Sequence, residues 1–74
     1  MTNLPVISSD DLIKFLTKEK KFVYDRTRGS HHIFISTTKR VSIPERKELG
    51  KGLFRQILLE IGVSETEFIT YWNS

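Results

Sequence analysis

The chain has 74 residues, of which 38% are hydrophobic and 28% charged, and it contains no cysteine. A chain of this length buries only about 60% of the surface that its unfolded form exposes, so we expect one small globular domain over residues 1–74, with no cofactor. The lack of cysteine excludes a disulfide framework, a CxxC redox pair and a cysteine-rich zinc site. No apolar run is long enough to span a bilayer and no secretory signal begins the sequence, which predicts a cytoplasmic protein without a membrane partner.

Positive charge is concentrated in the middle of the chain. Residues 18–55 hold eleven of the twelve lysines and arginines, with a local excess of seven positive charges, whereas the two ends together carry an excess of four negative charges. A basic segment of this kind predicts a surface for a polyanion, most simply nucleic acid. The alternative is an ordinary solvated surface, and charge alone does not separate the two interpretations.

The N-terminal half predicts one helix followed by two strands. Serine hydroxyls, two carboxylates and an apolar stripe with a period of about 3.6 residues predict a helix over Ser9–Glu19. Strand-forming residues predict a first strand over Lys21–Arg28, and Gly29-Ser30 is typical of a turn. A second strand is predicted over His31–Ser36.

The C-terminal half predicts one more strand and two helices. Arg40–Ile43 alternates polar and apolar side chains until a proline ends the strand. Gly50-Lys51-Gly52 precedes an apolar helix face that continues to Gly62, a C-terminal stop, and Ser64 with Glu67 predicts a capping box for a short last helix. The order predicts an α+β fold, α-β-β-β-α with a short C-terminal helix, in which the helices pack on one face of a three-stranded antiparallel sheet.

Side-chain alternation in the second strand separates its two histidines. His32 and Phe34 share one face, and His31, Ile33 and Ile35 share the other. Because Phe34 is the largest apolar group of the strand, we expect its face to pack against the helices. His31 would then lie on the uncovered face beside two exposed isoleucines, an arrangement that a lone monomer does not favour.

The segment Gly29-Ser30-His31-His32 has the clearest catalytic chemistry. An imidazole with an ordinary pKa of about 6.5 can both take and give a proton near neutrality, as cleavage of a phosphodiester through a ribose 2′-hydroxyl requires. A glycine turn before it exposes the ring and lets a backbone approach. The alternative is a surface histidine beside a hairpin turn, which spacing alone favours. No metal site is expected, because adjacent strand residues point to opposite faces and no third ligand is near.

Two other basic groups could bind phosphate. Gly50-Lys51-Gly52 would offer free backbone N–H groups and a lysine at a helix start, with Arg55 one turn later. A plain glycine helix start is the alternative, and the spacing is not that of a P-loop. Arg26 and Arg28 alternate along the first strand beside the turn, where they either line the same surface as His31 or are simply solvated.

Four parts of the sequence together form a family pattern: Arg26–Phe34, Val41–Pro44, Glu48–Leu58, and Gly62–Ser64 with Glu67-Phe68. Together they resemble the HicA (YcfA-like) toxins of prokaryotic toxin–antitoxin modules, over nearly the whole chain. The most specific element of the resemblance is the glycine-serine-histidine turn at this distance from the proline and from the later glycine-leucine helix start.

The resemblance implies a HicA-like toxin domain with a double-stranded-RNA-binding-domain-like fold. It further implies a small endoribonuclease that cleaves mRNA in a stress response, and a HicB-like antitoxin that covers the catalytic histidine. Carried over residue by residue, it makes His31 catalytic, with Gly29 and Ser30 shaping its turn. Relatives often have a histidine shortly after the proline of the third strand, where this chain has Glu45-Arg46, so no second acid–base group is assigned.

The ribonuclease hypothesis gives each candidate residue a role. His31 would act as general base or acid without a metal. RNA would be bound by Arg26, Arg28, Gly29, Ser30, Lys51 and Arg55. The antitoxin would dock on His31, Ile33 and Ile35.

Two other functions stay open at this point. A non-catalytic double-stranded RNA-binding module has the same helix and strand order and also places a histidine between its first two strands. Such modules usually begin the last long helix with a cluster of lysines, where this chain offers only Lys51. The other possibility is an inactive relative kept for protein contacts.

Overall fold

The computed structural model describes residues 4–74, so that the first three residues of the predicted domain lie outside the described part of the chain. The elements are α1 (Ser9–Glu19), β1 (Val23–Arg28), β2 (His31–Ile35), β3 (Arg40–Pro44), α2 (Lys51–Ile61) and α3 (Glu65–Trp72). This order confirms the predicted α+β fold. Within residues 4–74, no helix combines the length and the apolar character needed to cross a membrane.

The sheet is an antiparallel meander in the order β1-β2-β3, so β2 lies in the middle. In the register of β2 with β3, Phe34 pairs with Val41 and His32 pairs with Ile43. Phe34, Val41 and Ile43 are buried in the core, and both α1 and α2 contact β3. The helices therefore cover the face that carries His32 and Phe34, as the size of Phe34 predicted, and His31 lies on the other face.

The core is closed by the aromatic rings of three different helices. Phe15 of α1 and Phe54 of α2 both pack edge to face on Phe68 of α3, with ring centroids 5.0 Å and 4.8 Å apart. All three rings are buried. Edge-to-face pairs are favourable beyond the area that they bury, so α3 belongs to the core although it has only eight residues.

One expectation about the open face is wrong. Ile33 was expected to be exposed, but only 5% of its surface is accessible, although it lies outside the main core cluster. Because β2 is the middle strand, Arg26 and Ser42 flank Ile33 on its two sides. The stem of an arginine can cover apolar surface while its charge stays in water. The faces of β2 are not exchanged: His31 remains exposed and Ile35 is half-buried.

The helix caps show a second difference from expectation. Ser8 and Asp11 form a complete capping box at α1, in which the Ser8 N–H donates to the Asp11 carboxylate at 2.9 Å. At α3, Ser64 accepts from the N–H of Glu67 at 3.0 Å, but the Glu67 carboxylate pairs with Lys20 at the end of α1. The predicted box is therefore only half formed, because Glu67 joins two helices instead.

Candidate active site

The turn between β1 and β2 fixes which residues of the two strands face each other. Gly29 has a φ of +62°, and a positive φ at the first residue of a two-residue loop is what a type II′ hairpin turn requires. Arg28 pairs with His31 across this turn, and Thr27 pairs with His32. The predicted Gly29-Ser30 turn is confirmed, and it sets the register of the site.

The two histidines have different surroundings. His31 is exposed on the open face, between Arg28 of β1 and Pro44 of β3. His32 lies on the helix side, where 24% of its side chain is accessible. Because the sheet separates them, the two rings cannot act together on one phosphodiester.

His32 is held by hydrogen bonds at both ring nitrogens. Its Nδ1 lies 2.9 Å from Oγ1 of Thr27, and its Nε2 lies 3.0 Å from Oε1 of Glu45. Oγ1 of Thr27 lies in turn 2.6 Å from the hydroxyl of Tyr24. These four residues, which we call the His32 network, form a continuous hydrogen-bonded chain across β1, β2 and the residue that follows β3.

A β-bulge in β1 makes the Tyr24 end of this network possible. Tyr24 pairs with Phe34 and Arg26 pairs with Ile33, so that Asp25 is an extra residue in the strand. Residues three apart in a regular strand point to opposite faces, but one inserted residue brings Tyr24 and Thr27 to the same face. Tyr24 also packs edge to face on the buried ring of Phe34, with centroids 5.7 Å apart.

The main chain around Glu45 is tied to two other parts of the fold. The N–H of Glu45 donates to the carbonyl oxygen of Ser30 at 2.7 Å. The next residue, Arg46, is bonded to buried Ser9 of α1: the Ser9 hydroxyl donates to its carbonyl and accepts from its N–H, both at 3.1 Å. These hydrogen bonds hold the backbone of Glu45 beside the first hairpin.

The predicted phosphate-binding cations do not form one cluster. Arg26 and Arg28 alternate with Thr27 and belong to the open face with His31, where Arg26 donates to Asp25 at 3.0 Å. Their charges lie on the side of the sheet that carries no helix. They are therefore candidates for a surface around His31 and not for one around His32.

The other two cations lie in the helix layer. Lys51 is the exposed first residue of α2, and its N-cap, Gly50, provides no side-chain hydrogen bond to the helix. Arg55 lies one turn later, with its Nε 3.4 Å from the carboxylate of Glu65 in α3. Of these two cations, Lys51 is therefore better placed to bind an anion.

Thr27 and Glu45 were not predicted as partners of His32, although two patterns in the sequence indicate them. A two-residue turn at Gly29-Ser30 places Thr27 opposite His32. Alternation along β3 likewise carries the face of Ile43 on to Glu45. In the described residues, no group of three or more histidines and carboxylates is arranged to hold a metal ion.

A comparison with protein families agrees with these features. The model of the family described as the HicA toxin of bacterial toxin–antitoxin systems matches residues 9–63, which is most of the chain. The chain belongs to the HicA toxin family. The HicA match runs from the start of α1 to just beyond α2, and so includes both histidines and Glu45, while α3 lies outside it. Searches of curated proteins and of solved structures returned no match.

Membership of the HicA family defines the general role of the protein. It is the toxin of a toxin–antitoxin system, and its partner is an antitoxin.

Proposed function

We propose that this HicA-family toxin is an endoribonuclease that cleaves mRNA without a metal, with a histidine of the first hairpin as its acid–base group. The 2′-hydroxyl would lose its proton to the imidazole as the 2′ oxygen bonds to phosphorus. The bond from phosphorus to the 5′ oxygen would break, and the leaving oxygen would take a proton from water. The hydroxide formed would then take the proton that the imidazole holds, which restores the neutral base. The products would be a 2′,3′-cyclic phosphate end and a 5′-hydroxyl end.

The observation that carries the proposal is the pair of hydrogen bonds to His32. A general base works best when a third group orients it, and Glu45 is a carboxylate within hydrogen-bond distance of Nε2. The sequence assigned the reaction to His31, and that assignment stays a prediction, supported by its exposure and by the neighbouring Arg28. The hydrogen bonds favour His32.

Cations of the helix side would bind the RNA backbone if His32 is the reactive group. Lys51 is exposed at the uncapped start of α2, where helix N–H groups also attract phosphate. A groove between the first turn of α1 and the segment Glu45–Lys47 is lined by two cations, Arg46 and Lys47, and by the carboxylates of Asp10 and Glu45. RNA affinity would then come mainly from phosphate contacts in the basic middle of the chain.

The antitoxin would be a HicB-like protein, and the open face of the sheet is its proposed docking surface. His31 is exposed there and Ile35 is half-buried, with Arg26 and Arg28 beside them to meet acidic groups. Ile33, the third predicted contact, is too buried to offer much surface before binding.

The test uses the purified 74-residue protein, single-stranded RNA and the matched variants His31→Ala and His32→Ala. We expect His32→Ala to lower the cleavage rate at least ~100-fold, the usual scale of acid–base catalysis, and His31→Ala to change it only slightly. Circular dichroism of each variant checks the fold. The reverse order of effects would restore the sequence assignment of His31. Equal rates in both variants and the wild type would reject histidine catalysis.

A non-catalytic RNA-binding module is the second candidate. It is favoured by the helix and strand order and by the histidines at the first hairpin, features that double-stranded RNA-binding domains share. Tight binding of duplex RNA, with no cyclic-phosphate product from any RNA, would support this function instead.

A further inference from the structure

The hydrogen bonds of the His32 network fit a single arrangement of protons when Glu45 is ionised and the imidazole is neutral. An ionised carboxylate can only accept, so the bond to Glu45 requires a proton on Nε2 of His32. In a neutral imidazole Nδ1 is then an acceptor, and the hydroxyl of Thr27 donates to it. Oγ1 of Thr27 accepts in turn from the hydroxyl of Tyr24. In this arrangement every hydrogen bond of the network is donated in the direction from Tyr24 towards Glu45.

We propose that Glu45 is a positioning residue that holds His32 with Nε2 protonated and leaves Nδ1 as the atom that takes the substrate proton. This inference rests on the proposed ribonuclease function. In the free protein the hydroxyl of Thr27 lies 2.9 Å from Nδ1, and in this proposal an RNA 2′-hydroxyl would take its place as the donor. Thr27 is exposed, so its hydroxyl can turn away when RNA binds.

The fold supports this role because backbone hydrogen bonds hold Glu45 close to His32, whereas its side chain is not needed for packing. The hydrogen bond to Ser30 joins Glu45 to the hairpin, and the paired hydrogen bonds between Ser9 and Arg46 join the next residue to α1. The side chain of Glu45 is 70% exposed. An exposed contact adds little to stability, so its value lies in orientation, and variants of Glu45 should fold normally.

The experiment compares Glu45→Ala and Glu45→Gln with Glu48→Gln, a matched control at an exposed glutamate of the same connection. The first measurement is the nitrogen-15 spectrum of the imidazole rings in alkaline buffer, without RNA, which reports which nitrogen of His32 carries the proton. We expect Nε2–H alone in the wild type and in Glu48→Gln, and a mixture of both forms in Glu45→Ala.

The second measurement is kcat and KM for cleavage of single-stranded RNA. Glu45→Ala should lower kcat about 10-fold or more with KM nearly unchanged, since orientation is lost and RNA binding is not. Glu45→Gln should recover part of kcat, because its amide oxygen can still accept from Nε2. Glu48→Gln should behave like the wild type.

Several results would overturn the proposal. An unchanged proton position in Glu45→Ala would show that Glu45 does not hold the ring, and an unchanged or raised kcat would show that it does not assist the reaction. A KM effect without a kcat effect would mean that Glu45 acts on RNA binding. If the wild type cleaves no RNA, the proposed function fails, and the proton position on His32 still decides whether Glu45 holds the ring.

Discussion

The N–H of Glu45 donates to the carbonyl oxygen of Ser30 at 2.7 Å, one residue beyond the end of β3. This bond extends the pairing of β2 with β3 as far as the turn of the first hairpin. The turn is consequently joined to the backbone of Glu45, the residue whose carboxylate contacts His32. A change in the turn should therefore reach the site as well as the stability of the hairpin.

Gly29→Ala should destabilise the protein, and Gly52→Ala should not. An added Cβ at either position meets nothing within 4 Å, so the difference comes from the backbone alone. The φ of +62° at Gly29 costs an alanine about 1–2 kcal/mol, whereas alanine in place of Gly52 favours α2 by up to about 1 kcal/mol. Urea unfolding of both variants measures the effect. Equal shifts in the two midpoints would contradict the strained turn.

Ile33→Asp should reduce the free energy of unfolding by about 2 kcal/mol or more, because it places a charge at a position that is only 5% exposed. Ile35→Asp, on the same face but half-buried, should cost clearly less. Thermal melting followed by circular dichroism compares the two.

Ile35→Asp should weaken antitoxin binding by about 2 kcal/mol if the open face is the docking surface. Unchanged antitoxin affinity in that variant would place the interface elsewhere.

Lys51→Ala should weaken RNA binding more than Arg55→Ala. Arg55 is already paired with Glu65, so moving it to a phosphate breaks an existing contact, while Lys51 stands at the open start of α2. The logarithm of the binding constant should fall with the logarithm of salt, and loss of one single-strand phosphate contact should reduce that slope by about 0.7. We expect this reduction for Lys51→Ala. The same slope as in the wild type would place the phosphate site elsewhere.

Cleavage should continue in the presence of a chelator. An imidazole base removes the 2′ proton without help from a metal-bound hydroxide, so EDTA should leave the rate unchanged. The assay is the same RNA cleavage with and without EDTA, followed by addition of Mg²⁺. Loss of activity that Mg²⁺ restores would contradict the histidine mechanism.

The sequence predicted the fold well because its signals are local. The apolar stripes of α1 and α2, the glycine turn at Gly29 and the stop at Gly62 each act over a few residues, and each is found where it was expected. The faces of β2 were also assigned correctly, since alternation alone decides them.

The sequence predicted less of the site, because the missing parts depend on pairing between strands. The burial of Ile33 follows from its neighbours on β1 and β3, which alternation within β2 does not reveal. The bulge at Asp25 has no strong sequence signal, so the approach of Tyr24 to Thr27 could not be predicted. To predict the contact of Glu45 with His32, one would need to know the residue at which β3 ends.

The bulge at Asp25 gives β1 one residue more than its pairing with β2 uses. Deletion of Asp25 would place Tyr24 two positions from Thr27 in a regular strand, which keeps both side chains on the same face. Deletion of Arg28 would instead move Thr27 next to the turn and out of register with His32. Two single-codon deletions in the same strand should therefore differ in their effect on this toxin: loss of Asp25 should be tolerated, and loss of Arg28 should disconnect the His32 network without mutating any member of it.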